Sequence, residues 1–389
     1  MAHAGWRGNG FAPEDWWKQS IFVRFHEDTT FAEVAKGFEP MSAISADSIL
    51  LPDLEPSADA SLPFASRFGS EEDLDALLRE ASARRMHVLL RIPLARTQGD
   101  RGAAEVRFWL NRGIVGFDLG TVASEEMDAV RTLRGTMDRS PGQRILVART
   151  PSTGDVAFAV PRNPASRKAS APPRDPITLH LVSVQDVEAG SSASAGTALQ
   201  AVEITLPGSS SAVAAAGAGA LLPGAIPSLR NLLPLLLSSG APVLDIGLLT
   251  SASARSAVQQ VLTLRSTHEV LRSGMATVLP TGNAGMRAWL LRDRQRGVRG
   301  SLLLVDNRTE APVTLHLAQA VAAQGLRGAY LRPLLRADGG MGAVNLESGT
   351  LPANAALLAE VRSDRYVAPA TLDPDAPPPG SGRRRSRRR

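Results

Sequence analysis

Two stretches, Met86-His-Val-Leu-Leu-Arg-Ile-Pro-Leu-Ala-Arg-Thr97 and Phe108-Trp-Leu-Asn-Arg-Gly-Ile-Val-Gly-Phe-Asp-Leu-Gly120, decide how the rest of the chain is read. Each holds a short apolar run, Val88-Leu-Leu in the first and Val115-Gly-Phe in the second, that gives way to polar or small residues on its C-terminal side. Working outward, runs of the same kind recur at Ile21-Phe-Val-Arg-Phe25, Ser48-Ile-Leu-Leu-Pro52, Arg144-Ile-Leu-Val-Ala148, Ile177-Thr-Leu-His-Leu-Val182, Leu199 to Leu206 and Pro242-Val-Leu-Asp-Ile-Gly247. Many are followed by helical periodicity. Ser70-Glu-Glu-Asp-Leu-Asp-Ala-Leu-Leu-Arg-Glu-Ala-Ser82 is the clearest case: Ser70 can cap the helix and acids fill its first turn. Leu74, Leu77, Leu78 and Ala81 make one apolar stripe. Strand alternating with helix predicts a parallel sheet of the βα-repeat type.

After a helix from about Ala252 to Val270 the pattern changes. Trp289 to Arg292, Ser301 to Val305 and Val313 to Leu317 read as alternating strands with turn signals between them, so an antiparallel β domain is expected. Thr150 to Pro176 reads as a loop, and the Ser/Ala/Gly-rich Gly208 to Gly224 as structurally weak.

The two opening stretches resemble the α-amylase/α-glucosidase family of glycoside hydrolases. Active members carry Asp…Asn-His after the first run, where this chain has Arg91, Ala95 and Arg96. They carry Gly-Phe-Arg-x-Asp in the second, its Asp the nucleophile, where this chain reads Gly116-Phe117-Asp118-Leu119-Gly120. The family's acid/base Glu follows strand five, and here Arg149 follows Ala148. Its third acid has no match beyond Thr205-Leu-Pro-Gly-Ser-Ser210. Retaining glycosidases work with two carboxyls flanking the scissile bond, and a glycine cannot attack an anomeric carbon. The resemblance therefore implies the scaffold without the reaction, with no catalytic, cofactor or metal residue. Asp118, two residues before the nucleophile position, shares its face by strand alternation but lacks an acid partner.

Within the family the chain is similar to the non-catalytic heavy subunits of heteromeric amino-acid transporters. Trp16-Trp17, Phe68-Gly-Ser-Glu-Glu-Asp-Leu-Asp-Ala-Leu-Leu78, Phe108-Trp-Leu, Arg144-Ile-Leu-Val-Ala148 and the Gly240-Ala-Pro-Val…Gly247 frame carry that likeness. So does the short connection Gln98 to Ala103, where active members insert a domain after strand three. The implied architecture is a (β/α)8 TIM barrel without that inserted domain, followed by a small antiparallel β-sandwich. Its parts would be an N-terminal extension (1–14), the barrel (15–270, irregular over 150–224), the β domain (271–364) and a disordered basic tail (365–389). The implied partner is a polytopic transporter light subunit, at the extracellular face of the plasma membrane. That branch uses a membrane anchor and a cysteine, neither of which this sequence has. As given the chain is expected to be soluble, reaching a membrane through a missing anchor or a partner. A degenerate glycan-binding protein with a remodelled cleft is the alternative.

Composition narrows the choice further. With no cysteine among 389 residues, disulfides, thiol nucleophiles and cysteine-bound metals are excluded. The net charge of +5 owes six arginines to the last seven residues, Arg383 to Arg389, so the body is near neutral and nucleic acid is not an expected partner. Only Lys18, Lys36 and Lys168 are lysine. His26, His87, His180 and His268 show no metal-ligand spacing. Glu27, Asp28 and Glu33 are expected in a solvated loop, and Trp16-Trp17 as packing at the barrel's bottom. Asn307-Arg308-Thr309 is the only sequon, making Asn307 the glycosylation candidate.

Overall fold

The structure is a computed structural model. It describes residues 16–57, 64–149, 176–182, 199–204, 229–238, 240–293, 297–326, 328–336, 340 and 342–362. The expectations placed on 150–175 and 208–224 lie outside these residues, as do those for the extension, the basic tail and the third-acid position at 205–210. Two compact units emerge, one of Met1–Val278 with Leu290–Arg299 and one of Leu279–Trp289 with Gly300–Arg389.

The first unit is a closed barrel of eight strands. They are β1 (Phe22–Arg24), β2 (Ser48–Asp53), β3 (His87–Arg91), β4 (Gly116–Thr121), β5 (Ile145–Arg149), β6 (Leu179–Val182), β7 (Leu199–Ile204) and β8 (Ala241–Asp245), all paired in parallel and in sequence order. β8 returns to β1, with Phe22 beside Val243 and Arg24 beside Asp245. The strands were readable because a parallel strand in a barrel is covered on both sides, so burial demands unbroken apolar runs. Val88 through Leu90 and Ile145 through Ala148 are buried at every position.

Register decides which side chains share the interior. Phe22, Leu50, Leu89, Ile145, Val147, Leu179, Leu181, Ala241 and Val243 form one buried cluster there. Trp16 joins it from a short 3-10 turn before β1 and stacks on His87, ring centroids 3.7 Å apart and planes within 7°. The tryptophan pair thus packs at the N-terminal ends of the strands, as expected. Gly116 has no room for a side chain, since a Cβ would stand 2.4 Å from the Ile145 carbonyl oxygen.

The outer helices obey the local rules. Helix α3 (Glu71–Ala83) is preceded by α1 (Phe31–Lys36) and α2 (Phe38–Ala43). Ser70 caps α3 in a reciprocal capping box with Asp73, and Leu74, Leu77 and Ala81 are its buried stripe. α4 (Gly99–Asn111) begins at Gly99, inside the stretch expected to connect it, so the link from β3 is shorter than Gln98 to Ala103 suggested. The Glu27-to-Glu33 loop also needs correction. Thr30 and Glu33 form a capping box, and Glu33 belongs to α1. The acidic residue there caps a helix because its carboxylate satisfies the Thr30 amide that opening the helix leaves bare.

The second sheet is antiparallel, six strands in the order β14-β13-β16-β11-β10-β9, with a two-stranded ribbon of β12 (Val313–Thr314) and β15 (Thr350–Leu351). Its strands are β9 (Met275–Leu279), β10 (Met286–Asp293), β11 (Gly297–Asn307), β13 (Tyr330–Arg336), β14 (Val344–Asn345) and β16 (Ala356–Arg362). Pro333 sits at a register shift between β13 and β16, where its missing N–H disturbs the ladder least. The sequon falls at the end of β11 and is overturned as a glycan site. Asn307 has no exposed surface, and its Nδ2 donates to the carbonyls of Ala311 (2.9 Å), Leu351 (3.3 Å) and Pro352 (2.7 Å). A glycan would replace those bonds and need space the fold has filled.

Candidate functional site

In a (β/α)8 barrel, chemistry belongs at the C-terminal ends of the strands. The same register that stacks the apolar interior puts Arg24, Arg91, Asp118, Arg149 and Asp245 on its inward face at that end. Apolar layers therefore give way to charged ones within two residues of strand.

The central contact spans the barrel. Arg24 on β1 donates to Asp118 on β4 at 2.9 Å, across two intervening strands. Asp118 is 1% exposed, and its second oxygen accepts from the Gly120 amide at 3.0 Å. Both carboxylate oxygens are engaged. Gly120 itself has φ +69° at a register shift in β4, a bulge geometry that favours glycine. The simple alternation expected between Asp118 and Gly120 is interrupted by that bulge. A Cβ at 120 would face the Arg91 guanidinium at 3.6 Å.

Further carboxylates at the mouth are held in the same way. Asp53, at the end of β2, binds Arg96 at 2.7 Å, and Arg96 also meets Glu105 at 3.0 Å. Burial pushes the Asp53 carboxyl up despite the cation beside it. Asp245, at the end of β8, is 3% exposed, accepts from the Gly247 amide at 2.7 Å and pairs with His26 at 3.3 Å. The Asp245 hydrogen bond raises the His26 pKa, burial opposes the rise, and the charge of Asp245 adds to it. Glu27 lies 3.8 Å from Arg91. Beside His26 is an open depression lined by Phe25, Asp28, Thr29, Glu33 and Ile246.

The residues singled out in the sequence thus come together in part. Arg91, Arg96, Asp118, Gly120 and Arg149 sit at strand ends or just beyond them, with Ala95 on the Leu94–Thr97 turn, while Asn307 lies in the other sheet. Arg24, Asp53, His26 and Asp245 were missed. Their signal was positional: a charged residue closing an apolar run. Among the described residues no group of three His, Asp or Glu side chains is placed to ligate a metal ion. None of the described helices is long and apolar enough to cross a membrane.

No protein-family model matches the chain, and no curated protein matches it in sequence. Its architecture does match solved structures. Trehalulose synthase MutB from Pseudomonas mesoacidophila MX-45 superposes with a TM-score of 0.62 at 10% identity, covering 89% of this chain and 99% of that one. Isomaltulose synthase PalI from Klebsiella sp. LX3 gives 0.59 at 9% identity, with 89% and 99% covered. An acarbose complex of the α-amylase from Geobacillus thermoleovorans gives 0.55 at 11%, again with 89% and 99% covered. At such identities the likeness concerns the path of the backbone. This chain has the α-amylase fold, a parallel (β/α)8 barrel followed by an antiparallel β domain.

Proposed function

We propose that this chain is a non-catalytic amylase-fold protein that works through protein contacts, as the accessory heavy subunit of an amino-acid transporter. In that role it would stabilise and traffic a polytopic light subunit from the extracellular face of the plasma membrane. One observation carries the non-catalytic half. Asp118 has both oxygens committed to Arg24 and a main-chain amide, beside Gly120, where the sequence resemblance puts the family's nucleophile. A retaining mechanism needs one free carboxylate to attack and one protonated carboxyl to donate. Arg149, which the resemblance puts at the acid/base position, supplies neither.

The partner half rests on the sequence resemblance, chiefly Trp16-Trp17, the Phe68-to-Leu78 stretch and the short passage from β3 to α4. Two measurements test it. The purified chain should turn over neither sucrose, maltotriose nor aryl glucosides, and Gly120→Asp with Arg149→Glu should not restore turnover while Arg24 and Asp118 remain paired. Membrane-anchored chain should co-purify a polytopic amino-acid transporter from cells. Absence of any transporter together with oligosaccharide binding would sink the heavy-subunit reading in favour of a sugar-binding barrel.

A further inference from the structure

The loop that leaves β1 is tied at two points. His26 reaches Asp245 at the end of β8, 3.3 Å away, across the seam where the barrel closes. The next residue, Glu27, reaches Arg91 at the end of β3, 3.8 Å away. One short stretch of chain is therefore tied to β8, which adjoins β1, and to β3, which lies beyond β2 on the other side. The loop itself lines an open depression through Phe25, His26, Asp28 and Thr29, with Glu33 and Ile246, and Thr30 then opens α1.

We propose that this loop is a proton-controlled strap, fastened to β8 when the His26 imidazole is charged and held mainly through Glu27 when it is neutral. The two ties differ in kind. One joins a carboxylate to a guanidinium and the other a carboxylate to an imidazole, the side chain whose charge ordinarily changes within the physiological range. Asp245 is built as a fixed anchor, buried and oriented by the Gly247 amide, while half of the imidazole remains in contact with water.

The carboxylate that bonds His26 favours the protonated form. Asp245 faces His26 from β8, and Asp28 and Glu33 share its depression from the loop and from α1. Ile246, after β8, contributes no charge. Arg24, a cation two residues earlier and in register with Asp245, donates to Asp118. The folded pKa lies above the ordinary 6.5, so the tie is complete below 6.5 and weakens as pH rises through the folded value. A neutral imidazole can still donate from Nε2, so the strap loosens and does not detach. The device stands apart from the transporter proposal and holds whatever the barrel binds.

Hydrogen exchange of the full chain at about pH 5.5 and pH 8 reads the strap, once intrinsic exchange rates are corrected for. Amides of residues 27–30 should be about two- to five-fold better protected in acid, the range of one partly exposed ion pair. His26→Gln keeps a donor without the charge and should flatten that difference. Asp245→Asn keeps the acceptor for Gly247 and should lower the His26 midpoint seen by NMR. Equal protection at both pH values in the wild type would overturn the proposal. So would a His26 midpoint at or below 6.5, or an unchanged pH difference in His26→Gln.

Discussion

The two ends of the barrel are built on one lattice with opposite materials. At the N-terminal ends of the strands, Phe22, Leu89 and Ile145 close the interior under Trp16, and dispersion and water exclusion hold it. At the C-terminal ends the same inward positions carry Arg24, Arg91 and Asp118. An apolar floor tolerates neighbours of roughly the right volume. A charged rim holds only while each partner is present, because a stranded buried charge is far less stable than a missing methylene. The floor is therefore expected to degrade gradually under mutation and the rim abruptly.

Five substitutions sharpen or break that contrast, each read by chemical denaturation. The largest effect belongs to Asp118→Leu, which takes the buried carboxylate away from Arg24 and the Gly120 amide and should remove about 3–5 kcal/mol of stability. Adding Arg24→Met should return the protein to within about 1–2 kcal/mol of the parent, since an apolar pair can replace a buried ionic one. If the double variant is no better than the single, the rim is not organised around this pair. Leu89→Ala, on the floor, should cost about 3 kcal/mol, with no partner substitution able to rescue it. Gly120→Ala should cost about 1 kcal/mol, from the positive φ, because a Cβ there meets Arg91 only at an ordinary contact distance of 3.6 Å. Smallest is Glu80→Ala, which breaks the exposed 2.8 Å pair with Arg84 on α3 and should shift stability by under about 0.5 kcal/mol. A larger loss there would mean that ion pairs matter everywhere in this chain and not specially at the mouth.

The floor was legible in the sequence, whereas the rim gave up its positions at Arg91, Asp118, Gly120 and Arg149 but not its pairings. Val88-Leu-Leu and Ile145 to Ala148 announce themselves because burial on two faces leaves no alternation to disguise them. Ser70 with Asp73 announces a helix start because its partners are three residues apart. Arg24 and Asp118 are 94 residues apart, and nothing in either neighbourhood names the other. Their meeting follows only from barrel closure and register. Asn307 failed for a related reason. Asn-x-Thr is a pattern of three residues, whereas the carbonyls that occupy its amide come from Ala311 nearby and from Leu351 and Pro352 more than forty positions on.

The Trp16–His87 stack also makes the barrel floor optically addressable. Burial holds the His87 imidazole below its ordinary 6.5, so at neutral pH the ring lying on the indole face is uncharged. A charged imidazole in that place is an efficient quencher of indole emission. Acidification past the usual histidine range should therefore dim Trp16 specifically, and Trp16→Phe identifies its share among the chain's five tryptophans. The floor carries its own emission signal, separate from the exchange readout of the strap at the opposite end.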